Sequence, residues 1–485
     1  MANELQKHIK KIQTKCANQE ELVCKQFKVA NLSCAILYMR GQSNVDQISQ
    51  MIIYPALKTE QLPKTNVLNY LMDNVFIFPD LSLEDNQQKV IDIIGQGDAI
   101  IVVDGQKQVI KASVNNFKER GITEPPTSAV LKGPREGFVE NIKTNIVLLR
   151  RILSSEDLKM KYLQVGRYSK TQVCVAYIEG IAVPKVVDAI VQKIKEIQID
   201  GVLDSFYVAQ FLEEHPQSMF KQIGSAEKPD IVAGKILEGR VAVFVDGSPI
   251  VLTLPFIFLE DIQNSDDYYS QHVRASFLRI LRICSIAITL LFPALYIAIE
   301  LYHYKAIPLK FIVTIVNSTQ GLPLTPLAEM LFVLILFEIL YEASLRMPKY
   351  LGLALSVVGA LILGDTAVKA GLISPPAVMI VAVSGITLYT IPDQAPQLSL
   401  LRMAFTLAGG ILGFYGIIVL AVFIMVYLND FDNYGAAYFA PFSPHYTKDY
   451  KDAIIKVDLT DMKTRPKSIP NERSVRMYSG RRRNK

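Results

Sequence analysis

Three stretches in the second half of the chain carry no charged side chain, and they constrain the fold more than any other feature. They cover residues 283–299, 371–392 and 403–429. A helix rises about 1.5 Å per residue and the hydrocarbon core of a bilayer is about 30 Å thick, so runs of this length can cross a membrane with adjustment at their ends. Residues 1–270, in contrast, mix charged and apolar side chains as a folded soluble region does. The sequence therefore predicts a large soluble region followed by an α-helical membrane domain of four to six helices.

The positive charge of the chain is concentrated at its C-terminal end. The formal charge of the whole chain is +5, whereas Thr447–Lys485 contains twelve Lys/Arg and five Asp/Glu, a net +7, which leaves −2 for the remainder. This tail ends in Arg481, Arg482, Arg483 and Lys485 and suits an anionic lipid surface on the cytoplasmic side. Because the soluble region has no basic excess, a nucleic-acid partner is not expected.

The N-terminal residues and the cysteines indicate a cytoplasmic soluble region. Residues 1–20 are polar and lack the apolar core of a signal peptide. The five cysteines are scattered without a CxxC pair, which is typical of reduced thiols, and the five histidines form no metal-ligand pattern. We expect neither a metal nor a cofactor. Arg274, Arg279 and Arg282 precede the first apolar run and agree with a cytoplasmic start of that run.

The soluble region contains an internal repeat. Residues 35–41 resemble 175–180, each an apolar strand that ends in a charged residue and a glycine, and residues 97–105 resemble 239–247. The offsets between the copies are 139 and 142 residues, measured at Gly41/Gly180 and at the Asp of each Asp-Gly pair. Asp-Gly between two β-rich runs is a strong hairpin signal. The repeat predicts two similar α/β subdomains, about 25–125 and 150–262, each built from a strand, a helix and a later hairpin.

A turn rich in glycine lies between the two copies. The residues of the turn are Gly133, Pro134, Arg135, Glu136 and Gly137. An amphipathic helix follows the turn and continues through Leu153. In one interpretation the turn is a linker that begins a helix, because Pro134 fixes φ and Glu136 complements the helix dipole. In the other, Arg135 and Glu136 form a contact between subdomains or between subunits. The residue types favour the linker.

The membrane half contains one acidic helix. Residues 326–345 are apolar but hold Glu329, Glu338 and Glu342, and Arg346 follows. The last three share a helix face at i, i+4 and i+8. A carboxylate facing lipid costs about 2.5–3.5 kcal/mol on insertion scales, so these side chains should face protein, water or a pore. A cation path or subunit interface and an amphipathic helix at the membrane surface both remain open.

The other apolar segments give the count of four to six helices. The first predicted span is Ile283–Leu301, and residues 306–325 are expected at the membrane interface. Spans are also predicted at Tyr350–Leu372, interrupted by Asp365 and Lys369, and at Ile373–Pro392. Residues 398–428 fit one tilted helix or two pieces broken near Gly409-Gly410. A cytoplasmic tail requires an even number of crossings.

These pieces, in this order, resemble the A subunits of spore germinant receptors, the GerA family of endospore-forming bacteria. The resemblance covers nearly the whole chain, and Asp365 departs from the amide expected at that position. The landmarks are Gly133–Phe138 with Asn145, Arg150 and Arg151; Asp267–Tyr269; Glu342–Pro348; Val358–Gly364; Ser374 and Pro375; Ala440–Pro444; and Arg465–Lys467.

The resemblance implies a function as well as a fold. A subunits of this family assemble with a permease-like B subunit and a C lipoprotein, are thought to oligomerise, and relay nutrient binding into ion release at the spore inner membrane. Paralogues associated with the dipicolinate-release machinery lack a nutrient role of their own. A small-molecule transporter is a further alternative. An enzyme is not expected, because residues 1–270 contain no GxGxxG, Walker A, nucleophile elbow or metal-ligand cluster.

The predicted organisation has four parts. They are a first soluble α/β subdomain at 1–130, a second at 131–270, a membrane domain at 271–430 and a basic cytoplasmic tail at 431–485. The predicted fold class is thus an α/β N-terminal region of two similar subdomains followed by a multi-span helical membrane domain.

Overall fold

The computed structural model divides the chain into two compact units, Met1–Glu119 and Arg120–Lys485. The residues that the structure describes are 2–15, 22–39, 43–63, 65–95, 97–114, 124–125, 132–346 and 365–477.

The first unit is built on a five-stranded antiparallel sheet with the order β1-β2-β4-β5-β3. Its strands are β1 (Leu22–Val29), β2 (Leu32–Met39), β3 (Leu81–Glu84), β4 (Ala99–Val103) and β5 (Val109–Ala112). Its helices are α1 (Ala2–Lys15), α2 (Val45–Gln47), α3 (Tyr54–Lys58), α4 (Val67–Tyr70) and α5 (Gln87–Gly95), with π-helical turns at Ile48–Ile53 and Leu71–Val75. Alternate residues of β2 enter opposite cores, Ile36 on one face and Leu37 on the other, because successive strand side chains point to opposite faces.

The second unit begins with a sheet of the same topology, in the order β6-β7-β9-β10-β8. Its strands are β6 (Leu158–Val165), β7 (Thr171–Ile178), β8 (Gly224–Ala226), β9 (Val241–Val245) and β10 (Val251–Leu254). Helices α6 (Ile142–Ile152) and α9 (Pro229–Glu238) pack on one face, while α7 (Pro184–Glu196) and α8 (Ser205–Leu212) pack on the other.

The strand register confirms the predicted duplication. Cys34 pairs with Val103 across β2 and β4, and Val173 pairs with Val245 across β7 and β9. These two pairs are related by the same offsets, 139 and 142 residues, that relate the two sequence copies. One Asp-Gly pair forms the β4–β5 turn of the first sheet, and the other forms the β9–β10 turn of the second sheet. Gly105 and Gly247 have the positive φ that such turns require.

A connector (residues 255–271) joins β10 to a set of apolar helices. It contains α10 (Leu259–Ile262) and α11 (Ser265–Tyr269). The helices that follow are α12 (His272–Tyr302), α13 (Leu309–Thr319), α14 (Pro326–Arg346), α15 (Ala367–Lys369), α16 (Pro375–Leu388) and α17 (Ala395–Asn429).

Two helices among the described residues are long and apolar enough to cross a membrane. They are His272–Tyr302 and Pro392–Asn429, and only 28% and 22% of their most apolar windows are buried. The core helix of a soluble protein would be mostly buried, so these two helices present apolar surface to their surroundings.

Two predicted spans differ from what the structure describes, and most of a third lies outside the described residues. In place of a span over Ile373–Pro392, α16 has 14 residues, a length of about 21 Å, because a turn and the Pro392–Gln394 3₁₀ segment end the helix early. The predicted break near Gly409-Gly410 lies instead at Gly413, whose φ of 61° and ψ of −145° suit glycine alone. Residues 347–364 of the predicted span Tyr350–Leu372 lie outside the described residues, and Lys369 pairs with Asp365 just beyond them.

The C-terminal segment (residues 430–477) folds back onto the second subdomain, with β11 (Asp432–Asn433) and β12 (Ala436–Ala437) at its start. The Tyr434 hydroxyl donates to the Leu212 carbonyl at 2.6 Å, and the Arg465 side chain donates to the Leu237 carbonyl at 2.6 Å. Lys456 and Arg465 are buried. This part of the predicted basic tail is therefore a folded segment in which two cations are buried, while Arg481, Arg482, Arg483 and Lys485 lie outside the described residues.

Candidate functional site

The connector brings a buried carboxylate to the start of α12. Asp267 closes a capping box with Asn264 at the beginning of α11, which fixes its position in the turn. The Asp267 carboxylate is fully buried and accepts from Arg279 Nε at 3.0 Å and from Arg282 Nη1 at 2.9 Å. Arg279 and Arg282 lie one turn apart on α12, so a single carboxylate holds both side chains against the connector.

Arg279 also binds the C-terminal segment. Its Nη1 donates to the Asp452 carboxylate at 3.0 Å, to the Asp452 carbonyl at 2.7 Å and to the Ala453 carbonyl at 2.9 Å. The Tyr268 hydroxyl donates to the other Asp452 oxygen at 2.9 Å. We name Asp267, Tyr268, Arg279, Arg282 and Asp452 the junction cluster. It ties together the connector, the first long apolar helix and the C-terminal segment.

Burial shifts the pKa values of two groups in the junction cluster. Burial, followed by the charge of Asp452, raises the pKa of Tyr268 well above its usual range, so Tyr268 stays a neutral donor. Burial also raises the pKa of Asp452, although Arg279 acts in the opposite direction. Removing one partner of such a buried pair typically costs 3–5 kcal/mol, roughly, because the other charge is left unpaired.

The turn singled out in the sequence packs against this same connector. Gly133 has φ of +115°, and a Cβ atom there would lie 2.6 Å from the ring of Tyr269. Glu136 pairs with Arg151 at the surface, and Arg135 is 66% exposed, with Glu124 4.0 Å away. Pro134 and Gly137 complete the turn. Gly133 thus serves a contact inside the second unit, while the Arg135 side chain is available to another chain.

The three glutamates of α14 have different surroundings. Glu329 is buried and accepts from the backbone N–H of Ser374 at the start of α16. Glu338 pairs with Arg402 of α17. Glu342 pairs with Arg346 one turn later at an exposed position. The structure therefore brings Glu338 to a neighbouring helix rather than to the charged pair on its own face.

Arg402 is the residue of this region that the sequence interpretation missed. It is fully buried, and besides Glu338 it donates to Ser384 Oγ of α16 at 3.0 Å. Ser384 in turn donates to the Thr289 carbonyl of α12 at 3.0 Å. These four side chains form a polar cluster that connects four apolar helices. A single arginine directly before the charge-free run 403–429 is the sequence signal that could have identified it.

Two polar clusters join separate elements of the second unit. In the part of the chain that the structure describes, no group of three or more His, Cys, Asp or Glu side chains could hold a metal ion. Each of the two polar clusters is built around an ion pair. The junction cluster joins the second subdomain to α12. The Glu338–Arg402 cluster joins α12, α14, α16 and α17 to one another. The connector is therefore in direct ionic contact with the first of the apolar helices.

The chain was compared with protein families and known proteins. Residues 10–468 match the family described as Bacillus/Clostridium GerA spore germination protein. Spore germination protein KA of Bacillus subtilis (strain 168) is 32% identical over 477 residues, 97% of this chain and 88% of that protein. Spore germination protein A1 of Bacillus subtilis (strain 168) is 31% identical, with 94% of each chain covered. Spore germination protein GerLA of Bacillus cereus is 28% identical, with 96% of each chain covered.

A solved structure also matches. The crystal structure of the N-terminal domain of the A subunit of the Bacillus megaterium spore germinant receptor GerK3 is 32% identical, with 52% of this chain and 94% of that chain covered and a TM-score of 0.23.

Proposed function

Because the chain belongs to the GerA family of spore germinant receptor A subunits, we propose that it couples nutrient sensing to ion release across the spore inner membrane. It acts as a subunit of a larger receptor, together with a permease-like B subunit and a C lipoprotein. The single observation that carries the proposal is the junction cluster, a buried ionic link between the soluble second subdomain and the first long apolar helix.

The chain is a multi-pass membrane protein in this proposal. Its two long apolar helices present most of their apolar surface outward, which requires lipid or neighbouring helices. The start of α12 and the segment after α17 both meet at the junction cluster. A chain that leaves and returns at one face of the membrane crosses it an even number of times. The soluble subdomains and the C-terminal segment then lie together on the cytoplasmic side, the spore core.

Glu338 and Arg402 belong to the region where ions cross. A carboxylate and a guanidinium inside a set of apolar helices are costly unless they are paired or face water. Their pair can open when the helices move, which would place an acidic side chain along a cation path. Glu329 and the Glu342–Arg346 pair extend the acidic surface of the same helix, where a neighbouring copy or the B subunit would pack.

The Glu338→Gln variant tests the ion route. Gln keeps the shape of the side chain and removes its charge, so we expect cation release after addition of a rich nutrient broth to fall while the complex still assembles. Potassium released from spores is measured with an ion-selective electrode, and receptor abundance in the inner-membrane fraction by immunoblot.

Glu342→Gln is the matched control, since it removes one charge from the same helix at an exposed position. We expect it to change release less than Glu338→Gln does. Normal abundance with normal release in both variants would remove these glutamates from the ion path. Reduced abundance in Glu338→Gln, with unchanged release per complex, would assign Glu338 to packing alone.

A further inference from the structure

A cavity of about 490 Å³ lies beside the junction cluster, within the second unit. One wall is α9 and a second is the connector. The rest comes from β8, from Arg240 before β9, from Arg282 of α12, from residues 390–393 before α17, and from Leu459 and Arg476 of the C-terminal segment. The cavity is large enough for a small organic molecule. Neither the ionic link nor the ion route described above accounts for it.

The side chains around the cavity are balanced in charge. Its wall contains five carboxylates and four basic groups: Asp230, Glu238, Glu260, Asp261, Asp393, Lys235, Arg240, Arg282 and Arg476. Directly behind the wall, Lys228 lies 3.6 Å from Asp230 and Lys221 lies 2.9 Å from Asp261. Asp267 and Asp452 there pair with Arg279 and Arg282. Seven acidic groups therefore face seven basic groups. A ligand with a net charge would leave a buried charge uncompensated, so the cavity suits a molecule with no net charge.

Polar atoms of both kinds are left without a hydrogen bond in the wall. Asp230 Oδ1 is an acceptor with no hydrogen-bond donor among the described residues, and Arg240 Nε is a donor with no acceptor there. Glu260 is already paired, since Lys235 binds one of its oxygens and Arg240 Nη2 lies 3.4 Å from the other. The side chains of Asp230 and Arg240 are only 10% and 4% exposed. Buried polar atoms are normally satisfied, and each one left open costs about 1–3 kcal/mol. A ligand that offers both a donor and an acceptor would satisfy them together.

We propose that this cavity binds a small zwitterion, with its ammonium group held by Asp230 and its acidic group held by Arg240 and Arg476. The ring of Tyr269, whose hydroxyl donates to Asp230 at 2.8 Å, lies at the ammonium end. Because the wall combines the connector, α9 and the approach to α17, an occupant would hold the second subdomain and the apolar helices in one relative position.

The shared chemistry, an ammonium next to an acidic group, has two sources. One is the headgroup of an ethanolamine phospholipid, which residues 390–393 could admit because they directly precede a long apolar helix. The other is a free zwitterion of the same size. Glycerophosphoethanolamine is the soluble probe for the second source, and vesicles containing phosphatidylethanolamine are the probe for the first.

Gly234 offers a way to block the cavity without disturbing the fold. It lies inside α9 and lines the cavity, and a Cβ atom there would meet nothing within 4 Å. Gly234→Leu places a side chain in the open space and leaves every charged residue in place. Gly234→Ala is the matched control, because a methyl group leaves most of the volume free.

The experiment measures the thermal unfolding of the purified full chain, in detergent and in vesicles. We expect 10 mM glycerophosphoethanolamine in detergent, or one-third phosphatidylethanolamine in phosphatidylglycerol vesicles, to raise the unfolding temperature by about 2–4 °C. The shift should persist in Gly234→Ala and disappear in Gly234→Leu. Asp230→Asn should also remove it. A shift in detergent identifies a free zwitterion, and a shift in vesicles alone identifies the lipid headgroup.

Several outcomes would overturn the proposal. One is no shift in either medium, and another is an equal shift with sodium chloride at matched conductivity. Ethanolamine carries only the ammonium group, and glycerol phosphate carries only the acidic group. An equal rise in unfolding temperature with either compound would show that the cavity binds one charged group and not a zwitterion. A shift that survives in Gly234→Leu would place binding elsewhere. None of these readouts depends on ion release, so the proposed function and this inference can fail separately.

Discussion

At the scale of single residues, two glycines near the junction cluster differ in the space around them. Gly133 has positive φ and faces the Tyr269 ring, whereas Gly234 is helical and faces open space. We expect Gly133→Ala to destabilise the full chain by about 1–3 kcal/mol, because alanine is strained at that φ and its methyl group overlaps the ring. Gly234→Ala should stabilise it by about 0.5–1 kcal/mol. Thermal unfolding in detergent compares the two, and equal effects would contradict these assignments.

Arg135 allows a second test at this scale. Its side chain is largely exposed, and its nearest carboxylate, on Glu124, is 4.0 Å away. Exposed pairs of this kind contribute about 0–1 kcal/mol, so Arg135→Ala should leave the unfolding temperature of the purified chain almost unchanged. If the turn contacts another subunit, receptor abundance in spores should fall at the same time. A clear loss of thermal stability would instead make Arg135 an internal contact.

Sequence spacing identified the partner of Glu342 but not the partner of Glu338. The i, i+4, i+8 spacing of Glu338, Glu342 and Arg346 indicates a shared face, and the structure contains the Glu342–Arg346 pair. The partner of Glu338 is Arg402, 64 residues later on another helix. Such a pair depends on how helices pack, which helix periodicity alone does not determine.

At the scale of elements, the central strands of the two sheets give a chemical test of the fold. Cys34 lies on β2 and Cys174 on β7, and burial raises the pKa of both thiols to about 12. The reactive form is the thiolate, and at pH 8 only about one thiol in ten thousand would be ionised. We expect both cysteines to resist iodoacetamide at pH 8 in the native chain and to react fully in denaturant, as followed by peptide mass spectrometry.

The denatured chain is the positive control for that experiment, because unfolding exposes both thiols to the reagent. Rapid native alkylation of Cys34 would contradict the buried position of β2, and rapid alkylation of Cys174 would contradict that of β7.

The elements that sequence predicted well are the ones with short-range signals. Alternating apolar residues and Asp-Gly turns predicted both hairpins, and the repeat predicted a common strand order. The break in α17 was predicted near Gly409-Gly410 but lies at Gly413. Gly409 instead allows close packing against α12, because a Cβ atom there would lie 2.7 Å from the Ala294 carbonyl oxygen. Glycine in an apolar helix has either role, and only the neighbours decide which.

At the scale of the whole molecule, the C-terminal segment is where prediction from sequence was least complete. Its composition indicates a basic tail, yet residues 430–477 form contacts with the second subdomain and with α12. Arg279 and Asp452 are 173 residues apart in sequence. The net charge of a tail predicts its attraction to an anionic lipid surface. It does not predict a contact between two residues that lie this far apart in the sequence.

The central claim is that the second subdomain drives the apolar helices through the junction cluster. Arg279→Lys tests it, because lysine keeps the positive charge but lacks the planar fork that binds Asp267 and Asp452 together. Arg274→Lys is the matched control, the same substitution at an exposed position of the same helix. The measurement is potassium released per assembled receptor complex after addition of nutrient broth to spores.

We predict that Arg279→Lys lowers release per complex by at least about fivefold, within the range of typical coupling free energies, while Arg274→Lys leaves it unchanged. Dividing by complex abundance separates coupling from loss of stability. Normal release per complex in Arg279→Lys would contradict the account, because the soluble subdomain would then not act on the membrane helices through this link.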